Sequence, residues 1–167
     1  MEETMRLTTL CYIERDQKYL MMHRVKKSND ENEGKWIGIG GHLEENESPD
    51  ECIIREVKEE TGLVLTSLKT RGIITFILPD WGNELTFLYT GAAEGEAPEE
   101  CAEGILKWVS IDKVMDLPLW EGDRAFLPLL QTNQSFFSMK LEYAPGGKLV
   151  KCILDGKDIT DTLEKAK

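Results

Sequence analysis

Three glutamates, Glu56, Glu59 and Glu60, are the residues of this chain whose type and spacing most directly indicate chemistry. At positions i, i+3 and i+4 of a helix they share one face, where their like charges repel one another and lower helix stability. A divalent cation such as Mg2+ removes that repulsion, because it prefers carboxylate oxygen ligands. Since most acidic helix faces are only solvated surface, the three glutamates alone do not decide between a metal site and a surface.

The helix that must carry these glutamates has clear start and stop signals. Ser48 can cap it, Pro49 suits the first helical position, and Glu51 completes a capping box. Gly62 suits the left-handed residue that ends a helix. The sequence therefore predicts a helix over 49–61, seated on a sheet by Val57 with Ile53 or Ile54. Arg55 lies on this helix, and it can pair with Glu47 or with a carboxylate of the helix.

Strands and short helices should surround this helix. Alternating apolar residues and turn signals predict strands near 6–14, 18–25, 36–41, 70–78, 84–91 and 106–111, and two more strands near 138–143 and 148–154 that form a hairpin. Polar loops are expected over 26–35 and 92–104, and helices over 112–115 and 124–131. Strands that alternate with a few helices indicate an α/β or α+β layer structure.

The residues around the glutamates complete a longer pattern. The segment reads GHLEENESPDECIIREVKEETGL, and its fixed positions are Gly41, Glu47, Arg55-Glu56-Val57, Glu59-Glu60 and Gly62-Leu63. A chance match to so many fixed positions at fixed spacing is negligible. The segment therefore resembles the Nudix box at every defining position.

The resemblance continues on both sides of the box. Residues 36–41 look like the lead-in strand of the MutT branch, and residues 103–130, which include Trp120 and Asp123, are similar to the mammalian relatives that hydrolyse oxidised purine nucleoside triphosphates. The resemblance implies a single Nudix domain over 1–167, with a core at about 6–131 and a C-terminal hairpin extension at about 136–155. Its fold would be an α/β/α sandwich with a mixed central sheet.

The resemblance also implies a metal site and a set of catalytic residues. Mg2+, for which Mn2+ can substitute, would be held by carboxylates of the box and by a backbone carbonyl: Glu56, Glu59, Glu60, and Gly40 or Gly41. The implied catalytic residues are Glu47, which acts through Arg55, together with Glu56, Glu59 and Glu103. Members of the family differ in which carboxylate is the general base, so that assignment stays open.

A nucleotide would be bound by residues outside the box. The implied substrate-binding residues are His23, Ile37, Trp120 and Asp123. Trp120 can alternatively be a core or lid residue, and Asp123 can alternatively cap the next helix; Trp81 and Phe76 are the next candidates for contacting the base. The chain departs from the mammalian pattern, because Ile37 replaces an asparagine, His23 a lysine and Gly122 an aspartate. These differences weaken the case for an oxidised purine.

Three functions follow from the resemblance. The first is Mg2+-dependent hydrolysis of a nucleoside triphosphate, such as 8-oxo-dGTP or another non-standard purine, to the monophosphate and pyrophosphate. The second is hydrolysis of another nucleoside diphosphate derivative, such as ADP-ribose or a nucleotide sugar. Pro79 resembles a proline of ADP-ribose-cleaving relatives, although a turn over 79–82 also explains it. The third is non-enzymatic nucleotide binding, against which the intact glutamate set argues.

Composition narrows the setting of this chemistry. With 167 residues and a net charge of -11, the chain suits one domain that binds a small nucleotide and not a nucleic acid polymer. Because it has no apolar run of about 20 residues, we expect no membrane span. The acidic start, Met1-Glu2-Glu3-Thr4, favours a cytoplasmic protein. The four cysteines form no CxxC pair and are expected to be single thiols.

Overall fold

The computed structural model describes residues 4–26 and 28–165, and they form a mixed sheet of ten strands with helices on both faces. The elements in chain order are β1 (Arg6–Arg15), β2 (Lys18–His23), β3 (Trp36–Ile37), β4 (Ile39–His42), α1 (Pro49–Thr61), β5 (Val64–Ile77), β6 (Glu84–Glu94), β7 (Ile105–Ser110), α2 (Ile111–Val114), α3 (Asp123–Phe126), a 3-10 helix (Leu127–Gln131), β8 (Phe137–Tyr143), β9 (Leu149–Leu154), β10 (Lys157–Asp158) and α4 (Thr160–Lys165).

The sheet has a main path and two side branches. Its order is β10-β9-β8-β5-β6-β1-β2-β3, while β4 pairs with β1 and β7 pairs with β2. The β1–β6 and β5–β8 pairs are parallel and the others are antiparallel. This mixed sheet between helical layers confirms the predicted α+β sandwich.

Helix α1 packs on one face of the sheet. Ser48 and Glu51 form the predicted capping box, and Gly62 ends the helix with a φ of 75°. Ile53 and Val57 are fully buried, whereas Ile54 is 52% exposed, so Ile53 is the residue that seats the helix. The hydroxyl of Tyr89 on β6 donates to the Asp50 carboxylate at 2.5 Å, which fixes the first turn of the helix to the sheet.

The opposite face of the sheet carries the larger core. Tyr12 of β1 and Ile74 of β5 pack there with Phe126, Leu127 and other buried residues of the C-terminal half. The predicted helix over 124–131 is α-helical only as far as Phe126 and continues as a 3-10 helix that contains Pro128. Proline removes a backbone donor and clashes with a preceding turn, which accounts for the change.

Two further segments differ from the expected arrangement. The predicted strand over 36–41 is divided into β3, which pairs with β2, and β4, which pairs with β1. The C-terminal hairpin is part of the central sheet, because β8 pairs in parallel with β5 along residues 72–77. It supports the main core through Phe137 and Met139, which are almost fully buried.

The four cysteines are free thiols, as expected: Cys11, Cys52 and Cys152 are buried and Cys101 is partly exposed. None of the helices within the described ranges has the length and apolar character that a membrane crossing requires.

Candidate active site

A cavity of about 500 Å3 opens between helix α1 and the loops above the larger core. We call the end that carries the residues of the predicted metal site the acid end. The other end carries aromatic and apolar side chains and the predicted nucleobase contacts, and we call it the base end. The acid end includes Gly40, Gly41, Glu56, Glu60 and Glu103, and the base end includes Ile37, Phe76, Glu84, Trp120 and Asp123. The cavity volume is in the range of ordinary small-molecule sites.

Arg55 organises the carboxylates on the outer side of α1. Its guanidinium donates to both oxygens of Glu47, at 2.6 and 3.0 Å, and to the Glu56 carboxylate at 2.9 Å. It also donates to Glu59 at 3.1 Å and to the backbone carbonyl of His42 at 3.2 Å. The predicted pairing of Arg55 with Glu47 and with helix carboxylates is therefore present, and it joins the helix to β4.

Hydrogen bonding makes the Glu47 carboxylate strongly acidic. The Arg55 guanidinium and then the backbone N–H of Glu44 lower the pKa of Glu47 to about 2. The same ion pair raises the pKa of Arg55 further above its ordinary value. Glu47 thus stays ionised at neutral pH and holds Arg55, but neither residue lines the cavity.

Glu60 has a very different environment on the cavity side of the helix. Removal from water, and then the nearby carboxylates of Glu103 and Glu56, raise the pKa of Glu60 far above its ordinary value. Its Oε2 atom is buried and has no hydrogen-bond partner among residues 4–26 and 28–165. A buried carboxylate among other carboxylates is costly unless a cation or a proton compensates it.

The box glycine allows a second carboxylate to approach the backbone. A Cβ atom at Gly41 would lie 2.5 Å from the Glu56 carboxylate, so that only glycine leaves the space that Glu56 occupies. The Gly41 carbonyl already accepts from the Thr9 hydroxyl at 3.3 Å. Glu56 therefore lies against the backbone of β4, next to the carbonyls that were predicted as ligands.

These residues fit a magnesium ion that is only partly held by protein. Within residues 4–26 and 28–165, no three His, Cys, Asp or Glu side chains are already arranged as a metal cage. Mg2+, however, commonly uses one or two carboxylates and takes its remaining ligands from water and substrate phosphates. Glu60, with an unpartnered buried oxygen, and Glu56, beside the Gly41 backbone, provide such a pair.

Glu59 is not grouped with them in the structure. Its side chain is 58% exposed, pairs with Arg55 and lies outside the cavity lining. Although Glu59 and Glu60 are adjacent in sequence, the helix turns by about 100° between neighbouring residues. Glu59 thus belongs to the Arg55 cluster, and its predicted role as a metal ligand stays a prediction.

Arg24 is a residue of the acid end that the sequence analysis did not identify. It donates to Glu103 at 2.6 Å and to Asp30 at 2.8 Å, and it lines the cavity. It follows β2 directly, whereas the predicted residue, His23, stacks on Trp36 with ring centroids 4.5 Å apart and lies outside the cavity lining. The sequence alone does not show that Arg24 faces the cavity and His23 does not. Their directions depend on how the backbone turns after β2.

Trp120 is held rigidly at the base end. Its indole N–H donates to the Asn32 side chain at 2.7 Å, its edge meets Tyr143 with centroids 5.1 Å apart, and the Lys35 ammonium lies 4.7 Å from its ring centroid. Trp120 packs against the larger core and also lines the cavity. Its position therefore agrees both with a role in the core and with a role in contacting the base. Asn32 is a further lining residue that the sequence analysis missed.

Asp123 is 4% exposed and lines the same end. Burial raises the pKa of Asp123 to about 7, against the opposing effects of Arg124 and Lys35. The alternative that Asp123 caps the following helix is wrong, because Gly122 is the N-cap and Asp123 is the first helical residue. Of the two fallback candidates, Phe76 lines the cavity, whereas Trp81 is 43% exposed and lies outside it.

Known proteins resemble this chain along most of its length. The NUDIX domain family model matches residues 4–130. An uncharacterised Nudix hydrolase of Bacillus subtilis is 28% identical over 156 residues, which cover 90% of this chain and 95% of that protein. The mouse oxidized purine nucleoside triphosphate hydrolase is 30% identical over 135 residues, which cover 80% of this chain and 84% of that protein. Among solved structures, a MutT protein from Bacillus halodurans superimposes with a TM-score of 0.80 and 26% identity, covering 90% of this chain and 98% of that one.

Proposed function

The chain belongs to the NUDIX domain family as a MutT-like pyrophosphohydrolase, and from this premise we propose that it hydrolyses nucleoside triphosphates to the monophosphate and pyrophosphate with Mg2+. Nudix hydrolases in general use a divalent metal and act on nucleotide-derived small molecules. The identity of the metal and the nucleoside triphosphate substrate are the parts of this function that we propose.

The observation that carries the proposal is the continuity of one cavity between two chemically different ends. The acid end presents Glu56 and Glu60 beside a glycine backbone, which suits a metal-bound chain of phosphates. The base end presents Trp120 and Phe76, which suit a flat heterocycle, and Asp123, which suits its hydrogen-bonding edge. A nucleotide has a phosphate chain at one end and a flat base at the other, which matches the two ends of the cavity.

Each charged residue at the acid end has a separate task in this proposal. When bound, Mg2+ neutralises phosphate oxygens and lowers the pKa of a coordinated water. Glu60 and Glu56 would hold the ion, while Arg55 holds Glu56 in place and is itself fixed by Glu47. Arg24 holds the Glu103 carboxylate at the cavity, where Glu103 can accept a proton from the attacking water.

The base end supports a purine as the preferred base. Trp120 offers an indole that is already immobilised, so stacking on it costs little ordering of the side chain. An oxidised purine such as 8-oxo-dGTP is the finer candidate, suggested by the named activity of the mouse relative. Ile37 and Gly122 replace two polar residues of the mammalian pattern. Selection among purines would therefore depend on Asp123 and on other residues of the base end.

A panel of nucleotides tests the proposal. Nucleoside triphosphates, 8-oxo-dGTP, ADP-ribose and nucleotide sugars would each be incubated with the protein and Mg2+, and the products would be separated by ion-exchange chromatography. We expect pyrophosphate and a nucleoside monophosphate from the triphosphates, no reaction in EDTA, and recovery with Mg2+ or Mn2+. Turnover that persists in EDTA, or turnover confined to ADP-ribose or a sugar nucleotide, would contradict the proposal.

The ADP-ribose alternative has no specific support from the cavity. Pro79 lies in a tight turn, where the N–H groups of Trp81 and Gly82 donate to the Leu78 carbonyl at 3.2 and 2.8 Å. Gly82 completes this turn with a φ of 96°. The turn accounts for Pro79 without a ligand, and Pro79 is not among the residues that line the cavity.

A further inference from the structure

Besides Asp123, the base end contains the carboxylate of Glu84, for which the proposed catalytic machinery has no use. Glu84 is the first residue of β6, beside Arg6 of β1 in the parallel register and opposite Phe76 of β5. Phe76 and Glu84 both line the cavity, together with Thr8. Paired positions lie on the same face of a sheet, so this carboxylate forms part of the cavity wall beside an aromatic ring.

The hydrogen bonds of Arg6 go mainly to a different carboxylate. Its guanidinium donates to both oxygens of Glu31 at 3.1 Å and to the Gly82 carbonyl at 2.9 Å. The nearest Glu84 oxygen lies 3.6 Å from the Arg6 guanidinium, which is an ion-pair distance and too long for a hydrogen bond. One cation therefore serves two carboxylates at this end of the cavity.

Glu84 is consequently left with unused acceptor capacity. Its side chain is 15% exposed, and within residues 4–26 and 28–165 no donor makes a hydrogen bond to its carboxylate. Burial, and then the charge of Glu31, raise the pKa of Glu84 to about 7 despite the opposing effect of Arg6. A half-buried carboxylate without donors is stabilised when a ligand supplies an N–H group.

We propose that Glu84, supported by Glu31, is a specificity-determining residue that selects nucleobases presenting an exocyclic amino group to this wall. The inference rests on the proposed function, because it assumes that the base occupies this end of the cavity. Above its pKa the Glu84 carboxylate is ionised, so it accepts hydrogen bonds from an amino group and repels the lone pairs of a carbonyl oxygen. The wall thus discriminates between bases that differ only at such a position.

Matched pairs of substrates isolate this contribution. The bases of dGTP and dITP differ by one exocyclic amino group, and those of dCTP and dUTP differ by an amino group in place of a carbonyl oxygen. We expect the wild-type protein to prefer at least one amino-bearing member of these pairs by about tenfold in kcat/KM, as a hydrogen bond to a charged group typically provides. Glu84→Gln should reduce that preference to within about twofold, with the rate for the amino-free member little changed.

Two further variants control this experiment. Glu31→Gln should also reduce the preference, because it frees Arg6 to pair fully with Glu84, and it tests the proposal even if Glu84→Gln folds poorly. Glu94→Gln changes an exposed glutamate at the other end of β6 and should leave the preference intact. Thermal melting of all variants would verify that the folded state is retained.

Equilibrium binding separates failure of this inference from failure of the proposed function. The affinities of dGMP and dIMP, measured by calorimetry, should show the same preference in the wild type and its loss in Glu84→Gln. If triphosphates are not hydrolysed but the binding preference behaves as stated, the proposed function is wrong and the assignment of Glu84 stands. If both preferences are absent, or unchanged in both variants, Glu84 does not read the base.

Discussion

The two ends of the cavity are both lined by carboxylates, but they are built in different ways. At the acid end, Glu56 and Glu60 come from one helix within a single short segment of sequence. At the base end, Phe76, Glu84, Trp120 and Asp123 come from two strands, a loop and the start of a short helix. The two helix carboxylates of the acid end are therefore placed by local sequence, whereas the base end depends on the whole fold.

The two ends also differ in how the charges of their carboxylates are compensated. On α1, Arg55 neutralises the outer carboxylates, while Glu60 keeps a buried oxygen without a partner. At the base end Asp123 is buried and Glu84 is half-buried, and the pKa values of both carboxyls are raised to about 7. The difference indicates that the acid end is built to take up a cation and the base end to accept hydrogen bonds. Changes at the acid end should therefore lower kcat, and changes at the base end should alter KM or substrate preference.

The largest effect should separate Glu60 from its neighbour Glu59. Glu60→Gln should lower kcat by at least about 100-fold, a typical cost of removing one preorganised electrostatic contact. Glu59→Gln should lower it by no more than about fivefold, because Glu59 makes an exposed ion pair with Arg55. Steady-state kinetics with Mg2+ would measure both. Equal losses in the two variants would show that Glu59 turns toward the metal during the reaction.

A smaller loss should follow from Arg55→Lys. Lysine keeps the positive charge but cannot donate to Glu47 and Glu56 with a planar fork. Since Arg55 holds carboxylates and does not line the cavity, we expect kcat to fall by roughly tenfold while KM changes little. Lys58→Arg, on an exposed position of the same helix, is the control. A rise in KM alone would assign Arg55 to substrate binding.

At the base end, Trp120→Ala should raise KM. Stacking of a base on an aromatic side chain contributes about 1–3 kcal/mol, which corresponds to roughly tenfold or more in affinity. Because Trp120 also packs against Tyr143, the melting temperature must be recorded alongside the kinetics. Trp81→Ala removes an exposed indole outside the cavity and should leave KM unchanged. A loss of kcat without a change in KM would contradict the division between the two ends.

A separate effect concerns pH and stability through Asp123. Burial raises its pKa from 3.8 to about 7, so the folded protein keeps a proton that the unfolded chain has released. The free energy of unfolding should therefore fall as pH rises through this window, by up to about 1.4 kcal/mol per pH unit. Asp123→Asn removes this contribution, and its stability relative to wild type should increase from pH 4 to pH 7.

Chemical denaturation at several pH values would measure that trend. Asp116→Asn, at an exposed position in the segment before Trp120, is the control for the loss of a carboxylate outside the cavity. If the stability difference between Asp123→Asn and the wild type is constant with pH, the Asp123 carboxyl is not buried as a neutral group in the folded protein.

The sequence predicted the helix carboxylates of the acid end well because their determinants are local. Capping by Ser48, termination at Gly62 and the spacing of the glutamates all act within a few residues, and the helix boundaries agree with the structure. Helical spacing did not separate Glu59 from Glu60, because that separation depends on which side chain Arg55 reaches and which faces Glu103. These partners are fixed only by the tertiary fold.

The base end was predicted less completely for the same reason. Trp120 and Asp123 were found through their resemblance to relatives, but Glu84 and Asn32 were not. Glu84 acquires its environment from the pairing of β6 with β1 and β5, which no local pattern specifies. Residues 26–35 have a loop composition from which the inward position of Asn32 could not be inferred.

Direct measurement of metal binding tests most sharply the claim that Glu60 and Glu56 form the cation site of a metal-dependent pyrophosphohydrolase. The binding of Mn2+ to wild-type protein, Glu60→Gln and Glu59→Gln would be followed by electron paramagnetic resonance, with and without dGMP to reveal any contribution of nucleotide phosphate. We expect saturable binding by the wild type and by Glu59→Gln, and binding at least about tenfold weaker in Glu60→Gln, because Mg2+ and Mn2+ sites depend on carboxylate charge. Undiminished binding in Glu60→Gln, or loss of binding in Glu59→Gln alone, would contradict the account.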